Sequence, residues 1–322
     1  MSRPVKLIIQ IPCFNEEETL PMTVADLPRE VPGIDIVEWL VIDDGSSDRT
    51  VEVAHQLGVD HVVSHRHNRG LAAAFMTGLD ACLRAGADII VNTDADNQYQ
   101  GSSIPDLVAP VLAGTADMVV GERPIEDVDD FSRTKKILQR VGSSVVRRFS
   151  GTGVRDAASG FRAYSRDAAM RVQVFGRYTY TMETIVQAGW NGIAVESVPI
   201  GVNPKTRESR LVKSTSRYIV RSAQAIIRSF ALYKPFRFFF LAGLVPFVFG
   251  VLGLLRWLGL YLFEEEYTSR VPSLLGGIGL IVVAAQIWAV AFLADLQAAN
   301  RRVLEDLRYR TRQIEYGDIA AE

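Results

Sequence analysis

Cysteine is nearly missing from this chain: 322 residues hold only Cys13 and Cys82, with no CxxC pair and four histidines in all. That scarcity excludes a disulfide framework and a structural zinc site, and suits a reducing compartment. Net charge is almost absent too, at −2, so bulk electrostatics give no argument for nucleic acid as a partner. A Walker or Rossmann glycine loop is also lacking, so any phosphate must be met by other groups. The opening apolar run in MSRPVKLIIQIP is too short for a secretory signal and reads as a first strand.

What the chain does have is long uncharged runs near its C-terminal end. Phe238–Leu255 and Val271–Ala294 carry no charged side chain, and each is long enough to cross a hydrocarbon core of about 30 Å as a helix. Arg217, Arg221, Arg228, Lys234 and Arg237 precede the first run, and Arg301, Arg302, Arg308, Arg310 and Arg312 follow the second. The connection between them offers Arg270 beside Glu264, Glu265 and Glu266. The positive-inside rule then places both termini and the long N-terminal region in the cytoplasm, making this an integral membrane protein.

The first two thirds alternate in pattern. Val5–Ile11, Ile36–Ile42, His61–Ser64, Ile89–Asn92 and Met118–Gly121 read as strands, and Glu16–Leu27, Asp48–Leu57 and Gly70–Ala85 as helices. Such alternation predicts an α/β fold with a mostly parallel sheet, helices on both faces, and a ligand site at the carboxyl ends of the strands. Three polar stretches fall at those ends: Pro12–Glu16, Asp43–Ser46 and Asp94–Asp96. Asp94 and Asp96 stand at i and i+2 where an apolar run gives out, so both carboxylates leave the same side of the sheet edge. Two such anions ask for a cation between them, although Asp is also common at simple turns. Phe14 offers a flat apolar surface to a nucleobase, and Glu16 or Asp44 can accept from base or ribose; Asp44 also suits a helix cap near Asp48.

IPCFNEEETL, VIDDGSSDRT, HNRGLAAAFMTGL and NTDADNQY, continuing through VVGERP, DAASGFRAYSR and TRESRLVKS, resemble in order and spacing the family 2 glycosyltransferases of GT-A (Rossmann-like) fold. The likeness is greatest to the branch of dolichyl- and polyprenyl-phosphate sugar synthases. The resemblance implies a nucleotide-sugar pocket of Pro12, Phe14, Glu16, Ile42, Asp44, Asp94, Ala95 and Asp96, closed by Arg207 and Lys213. It implies Mg²⁺ or Mn²⁺ on Asp96 and Gln98, and frames an acceptor entrance between Arg123 and Asp156. A lipid phosphate acceptor needs cations, for which Arg123 and Arg133 are the candidates. An ionised phosphate needs no general base; a hydroxyl acceptor on a glycolipid or polysaccharide would need one, with Asp156 or Glu183 available. Asp156 also reads as a positioning carboxylate paired with Arg162. A scaffold that kept the fold without catalysis is the remaining alternative, against which Asp94, Asp96 and Gln98 argue.

The expected organisation is a catalytic domain over 1–205, a basic amphipathic juxtamembrane segment over 206–235, a two-helix transmembrane hairpin over 236–295 (about 238–263 and 271–294), and a cytoplasmic C-terminal helix over 296–322. The basic segment suits the anionic face of a membrane. In the last segment Leu296, Val303, Leu307 and Ile314 form a partial heptad, which leaves a homo-oligomerisation helix and a surface-lying one both open.

Overall fold

The computed structural model describes residues 3–124, 143–144, 146–147, 150–174, 176, 180–204, 224, 227–228, 231, 234–263 and 271–317. Arg133, Arg207, Lys213 and nearly all of the 206–235 segment lie outside the described residues. The chain divides into two compact units, Met1–Ile226 with Arg308–Glu322, and Ile227–Leu307.

In the first unit the elements run β1 (Lys6–Cys13), α1 (Leu20–Asp26), β2 (Ile36–Asp43), α2 (Thr50–Gln56), β3 (His61–Ser64), α3 (Leu71–Arg84), β4 (Ile89–Asn92), α4 (Ile104–Leu112), β5 (Met118–Glu122), β6 (Arg162–Ser165), α5 (Arg166–Arg171), α6 (Thr181–Trp190) and β7 (Val195–Pro199). The seven strands form one sheet in the order β3-β2-β1-β4-β6-β5-β7. β1 to β4 pair in parallel, as do β5 and β7, while β6 runs antiparallel to both β4 and β5. The mostly parallel sheet is therefore present, with one reversed strand in its middle.

β1 is buried almost throughout, and its Leu7, Ile9 and Ile11 join Val41, Val91 and Val119 in a continuous core, as expected for strands covered on both faces. α3 lies so close to the sheet that a Cβ on its Gly78 would meet the Gln10 side chain at 2.3 Å and Ile42 Cδ1 at 2.7 Å. Register levels the strand ends: Cys13 lies opposite Asp43, and Asp43 opposite Ser64. The polar loops thus leave the sheet from one edge. Helix starts differ from those expected. α1 begins at Leu20, because residues from Glu16 to Thr19 form a turn whose Glu16 carbonyl receives the amides of Thr19 and Leu20. α2 begins at Thr50, because the Asp48 carboxylate accepts from the Thr50 amide and holds the preceding residues as a turn.

The last residues of α8 (Val271–Gly317) belong to this unit. Tyr309 donates its hydroxyl to Asp167, with the Arg171 guanidinium 4.2 Å over its ring. Arg312 donates to the carbonyls of Met170 (3.0 Å) and Ala169 (3.4 Å). Tyr316, 1% exposed, donates to Asp80, and Arg84 pairs with Glu315 at 2.5 Å. The heptad residues Leu296, Val303, Leu307 and Ile314 are all exposed; what docks on α3 and α5 is a face of tyrosines and arginines.

The second unit holds α7 (Pro235–Phe263) and α8 up to Leu307. Both helices are long and apolar enough to cross a membrane; α7 alone spans about 43 Å at 1.5 Å per residue. Their large apolar side chains, such as Phe249, Leu252, Leu275 and Phe292, are exposed, the reverse of a soluble core helix. Small residues bring the two backbones together. A Cβ on Gly250 would lie 2.9 Å from the Gly277 carbonyl, and Trp288 donates its indole N–H to the Phe240 carbonyl at 3.1 Å. Close approach at glycine is the usual way helices associate where no hydrophobic drive exists between them.

Candidate active site

The loops at the sheet edge are tied to one another before any ligand arrives. The Asn15 amide donates to Ser46 Oγ (2.9 Å), the Ser47 amide to Asn15 Oδ1 (2.8 Å), and the Glu16 amide to Thr50 Oγ1 (2.8 Å). Asn15 takes a φ of 56°, which an asparagine tolerates better than most residues. Gly45 is required where the second loop meets the third: its φ is 74°, and a Cβ there would lie 2.6 Å from the His67 carbonyl carbon. Pro12 and Ile42 are buried beneath this surface, paired across β1 and β2, while Phe14 is 40% exposed. An exposed aromatic at a polar strand end is a stacking surface.

Asp44 has no part in capping α2. Its carboxylate, 3% exposed, accepts from the amides of Arg69 (2.9 Å) and Gly70 (2.8 Å) and lies 2.7 Å from His65 Nδ1. His65 Nε2 reaches Thr77 Oγ1 at 3.0 Å. Thus Asp44, the 67–70 loop and α3 form one hydrogen-bonded unit, and His65, which sequence reasoning passed over, is its hinge. Glu16 is buried and accepts from the Thr19 hydroxyl at 2.5 Å.

Asp94 and Asp96 follow β4 as the alternation requires. Ala95 is 4% exposed, and its carbonyl accepts from Thr23 of α1 at 3.0 Å. The Asp96 carboxylate accepts from the Gln98 amide at 3.1 Å. Asn97 completes that turn in the left-handed region at φ 54°, and Asn203 donates to its carbonyl at 3.1 Å. Asparagine is one of the few non-glycine residues that adopt this conformation readily. Behind Asp94 stands a buried polar group: Gln10 donates to Asn92 (2.8 Å), and Asn92 donates to the Gly160 carbonyl (2.9 Å) and Tyr180 Oη (2.7 Å). Gly160 is pressed against the carboxylate, where an added Cβ would lie 3.2 Å from both Asp94 oxygens and 2.8 Å from Tyr180 Oη. Burial, then the neighbouring Asp96 charge, push Asp94 up to about 7, with the Arg123 and Arg162 guanidiniums acting in the opposite direction. Adjacent carboxylates at a sheet edge are hard-oxygen donors whose mutual repulsion a divalent cation would relieve, so the Asp96 carboxylate and the Gln98 side-chain oxygen would suit Mg²⁺ or Mn²⁺.

The acceptor side shows one pairing that differs from expectation. Asp156 is fully buried and meets Arg123, not Arg162, in a two-pronged bridge: Nε to Oδ2 at 2.7 Å and Nη2 to Oδ1 at 3.1 Å. Arg162, also fully buried, instead donates to the carbonyls of Ser159 (2.8 Å) and Ala157 (3.1 Å) and to Thr184 Oγ1 (2.6 Å). The physical reason is reach. Arg162 heads β6 and folds back on its own loop, whereas Arg123 follows β5 and faces Asp156. Glu183, on α6, accepts from the Gly176 amide at 2.9 Å. A cavity of about 500 Å³ opens beside the pair, lined by Glu122, Arg123, Pro124, Gly153, Arg155 and Ile200 among others.

Polar loops tied together at the carboxyl ends of β1 and β2, an acidic pair after β4 and a reversed β6 are the arrangement of the GT-A class of transferases. The family model described as "Glycosyl transferase family 2" matches residues 8–172, just over half of the chain, and the chain belongs to that family. It is 31% identical over 206 residues to a polyprenol monophosphomannose synthase of Mycolicibacterium smegmatis, covering 61% of this chain and 76% of that one. An undecaprenyl-phosphate mannosyltransferase of Micrococcus luteus is 31% identical over 176 residues, covering 53% and 70%. A Methanococcus voltae enzyme named UDP-N-acetylglucosamine–dolichyl-phosphate N-acetylglucosaminyltransferase is 29% identical over 212 residues, covering 59% and 82%. Among solved structures, glucosyl-3-phosphoglycerate synthase of Mycobacterium tuberculosis, in complex with Mn²⁺, UDP-glucose and phosphoglyceric acid, shares the fold with a TM-score of 0.55 and 22% identity, over 69% of this chain and 79% of that one.

Proposed function

We propose that this enzyme transfers a hexose from a nucleotide-sugar to a polyprenyl or dolichyl phosphate, giving a lipid-phosphate-sugar. The observation that carries the reading is the presence, in one chain, of a family 2 catalytic unit and two membrane-length helices. The relatives named for transfer to polyprenol, undecaprenyl and dolichyl phosphates support it. Charge flanking the helices supports a cytoplasmic catalytic unit with both termini on that side.

In this reading Phe14 stacks on the base, Glu16 and Asp44 accept from base or ribose, and Pro12, Ile42 and Ala95 shape the pocket, with Asp94 contacting the nucleotide. Arg207 and Lys213 close over the diphosphate, and Arg133 joins Arg123 at the acceptor phosphate. A divalent ion, Mg²⁺ or Mn²⁺, held by Asp96 and Gln98, would neutralise the charge of the departing diphosphate. One phosphate oxygen of the lipid forms a bond to the anomeric carbon as that carbon's bond to the diphosphate oxygen breaks, so configuration inverts. The nucleophile is already ionised, and alignment with leaving-group stabilisation supplies the catalysis. The Arg123–Asp156 bridge favours this over a hydroxyl acceptor, because a buried carboxylate gripped at both oxygens by a guanidinium is a poor proton acceptor.

The test is full-length protein in detergent or nanodiscs with polyprenyl phosphate and a panel of UDP- and GDP-sugars, the lipid fraction being weighed by mass spectrometry. A product heavier than the lipid phosphate by one hexose residue, in a new phosphodiester linkage, is expected with one donor class. No lipid product from any donor overturns the reading.

A further inference from the structure

We infer that His65 is a positioning residue of the nucleotide pocket: its ring donates to Asp44 and holds that carboxylate with one oxygen left to accept from the nucleotide. This role rests on the reading of Asp44 as a nucleotide contact. The backbone places the pair. The Asp44 amide donates to the Cys13 carbonyl at 2.8 Å, which sets Asp44 beside the strand end that carries Phe14. The His65 amide donates to the Asp43 carbonyl at 2.9 Å, so the pairing of β2 with β3 runs on by one residue and brings the ring alongside the carboxylate.

Both side chains are almost wholly buried, His65 at 6% and Asp44 at 4% exposed, and a carboxylate taken out of water needs hydrogen-bond donors. Among the described residues Asp44 finds them on unequal terms. Oδ1 takes the Arg69 amide at 2.9 Å and His65 Nδ1 at 2.7 Å, while Oδ2 takes the Gly70 amide at 2.8 Å. An ionised carboxylate offers about four lone-pair positions, so Oδ1 is filled and Oδ2 keeps one for a ligand. The amides of residues 69 and 70 belong to the main chain; His65 is the donor that a side chain supplies. A carboxylate opposite Nδ1 requires the proton on that nitrogen. Nε2 meets the Thr77 hydroxyl of α3 at 3.0 Å, so the ring is held at both nitrogens and cannot turn away from Asp44. A ring engaged at both nitrogens serves through its hydrogen bonds. Without it Oδ1 has an open position, and the oxygen kept for the nucleotide is free to rotate out of place.

The test is calorimetric titration of full-length protein in nanodiscs, with Mn²⁺ present, by UDP and by GDP, the tighter of the two on the wild type being followed through the variants. His65→Phe keeps a buried ring without a donor, and should bind roughly tenfold or more weakly, the scale of one hydrogen bond to a charged group, with the number of sites per chain unchanged. His65→Asn, whose amide nitrogen can stand in the place of Nδ1, should stay nearer the wild type. A role in packing predicts the opposite order, and His65→Phe binding more tightly than His65→Asn overturns the inference. Where His65→Phe does not fold, Thr77→Val removes the outer bond at almost constant volume; weakened binding supports the role and unchanged binding overturns it. Asp44→Asn separates the two levels. Weakened binding there with His65→Phe at the wild-type affinity overturns the role of His65 alone. Unchanged binding in Asp44→Asn, or a wild type that takes neither nucleotide, removes Asp44 from the pocket and overturns both.

Discussion

At single positions, the Arg123–Asp156 bridge separates structure from chemistry. Asp156→Asn leaves a guanidinium buried beside a neutral amide, and loss of one partner of a buried ion pair costs about 3–5 kcal/mol. Thermal unfolding of the variant should show that loss, with residual turnover in whatever fraction stays folded; an unchanged melting temperature would mean that the pair is not closed in solution. Asp96→Asn should do the opposite. Half-buried and at the sheet edge, it should keep the melting temperature and lower lipid-product formation by at least a hundredfold, the scale expected when transition-state charge loses its support. Gly160→Ala lies between these two. Its Cβ would press on both Asp94 oxygens and Tyr180 Oη, so turnover should fall more than tenfold, with a stability loss of about 1–3 kcal/mol from overpacking. Asp94, Asp96, Asp44 and Phe14 were legible in the sequence because strand alternation and loop placement fix where such residues emerge. The partner of Asp156 was not, since two arginines were available and only the fold decides which one reaches it. His65 left no signal beyond its place in the loop before HNRG.

Among elements, α3 carries the most consequence, since its two ends serve different neighbours. Its first turns meet the loop that holds Asp44, and its last hold the end of α8 through Asp80 and Arg84. Burial raises Asp80, but the Tyr316 hydroxyl and the Arg84 guanidinium outweigh it and hold the carboxyl below its usual range. A carboxylate depressed in the folded state binds fewer protons there than when unfolded, so its contribution is full above the unfolded value of about 3.9 and fades as pH falls below it. Hydrogen-exchange protection of residues 308–317, corrected for the intrinsic rate at each pH, should fall below about pH 4, and Asp80→Asn should show the lower protection already at neutral pH. The strands up to β5 and the helices α1 to α3 were readable from period and turn chemistry, with ends displaced where Asp48 and Glu16 organise turns. β6 and β7 were not, because β6 is four residues inside a motif whose glycine and buried arginine mask its alternation. The docking of α8 was hidden for a related reason. Apolar periodicity pointed to Leu296, Val303, Leu307 and Ile314, whereas the buried face is made by Tyr309, Arg312 and Tyr316, amphipathic side chains that a hydrophobic pattern counts as surface.

For the whole molecule, the glycines of α7 and α8 make a simple test of the hairpin. Gly277→Leu places a branched side chain where a Cβ already lies 2.9 Å from the Gly250 carbonyl, and should separate the two helices; crosslinking between cysteines placed on α7 and α8 should fall, with no change in nucleotide binding. The order of the chain has a further effect. Arg308–Gly317 packs into the catalytic unit yet follows both membrane-length helices in sequence. During synthesis the sheet can assemble while its last piece is still untranslated, and that piece leaves the ribosome only after both apolar helices have been made. The unit that would handle nucleotide-sugars thus receives this piece only after both apolar helices have been translated.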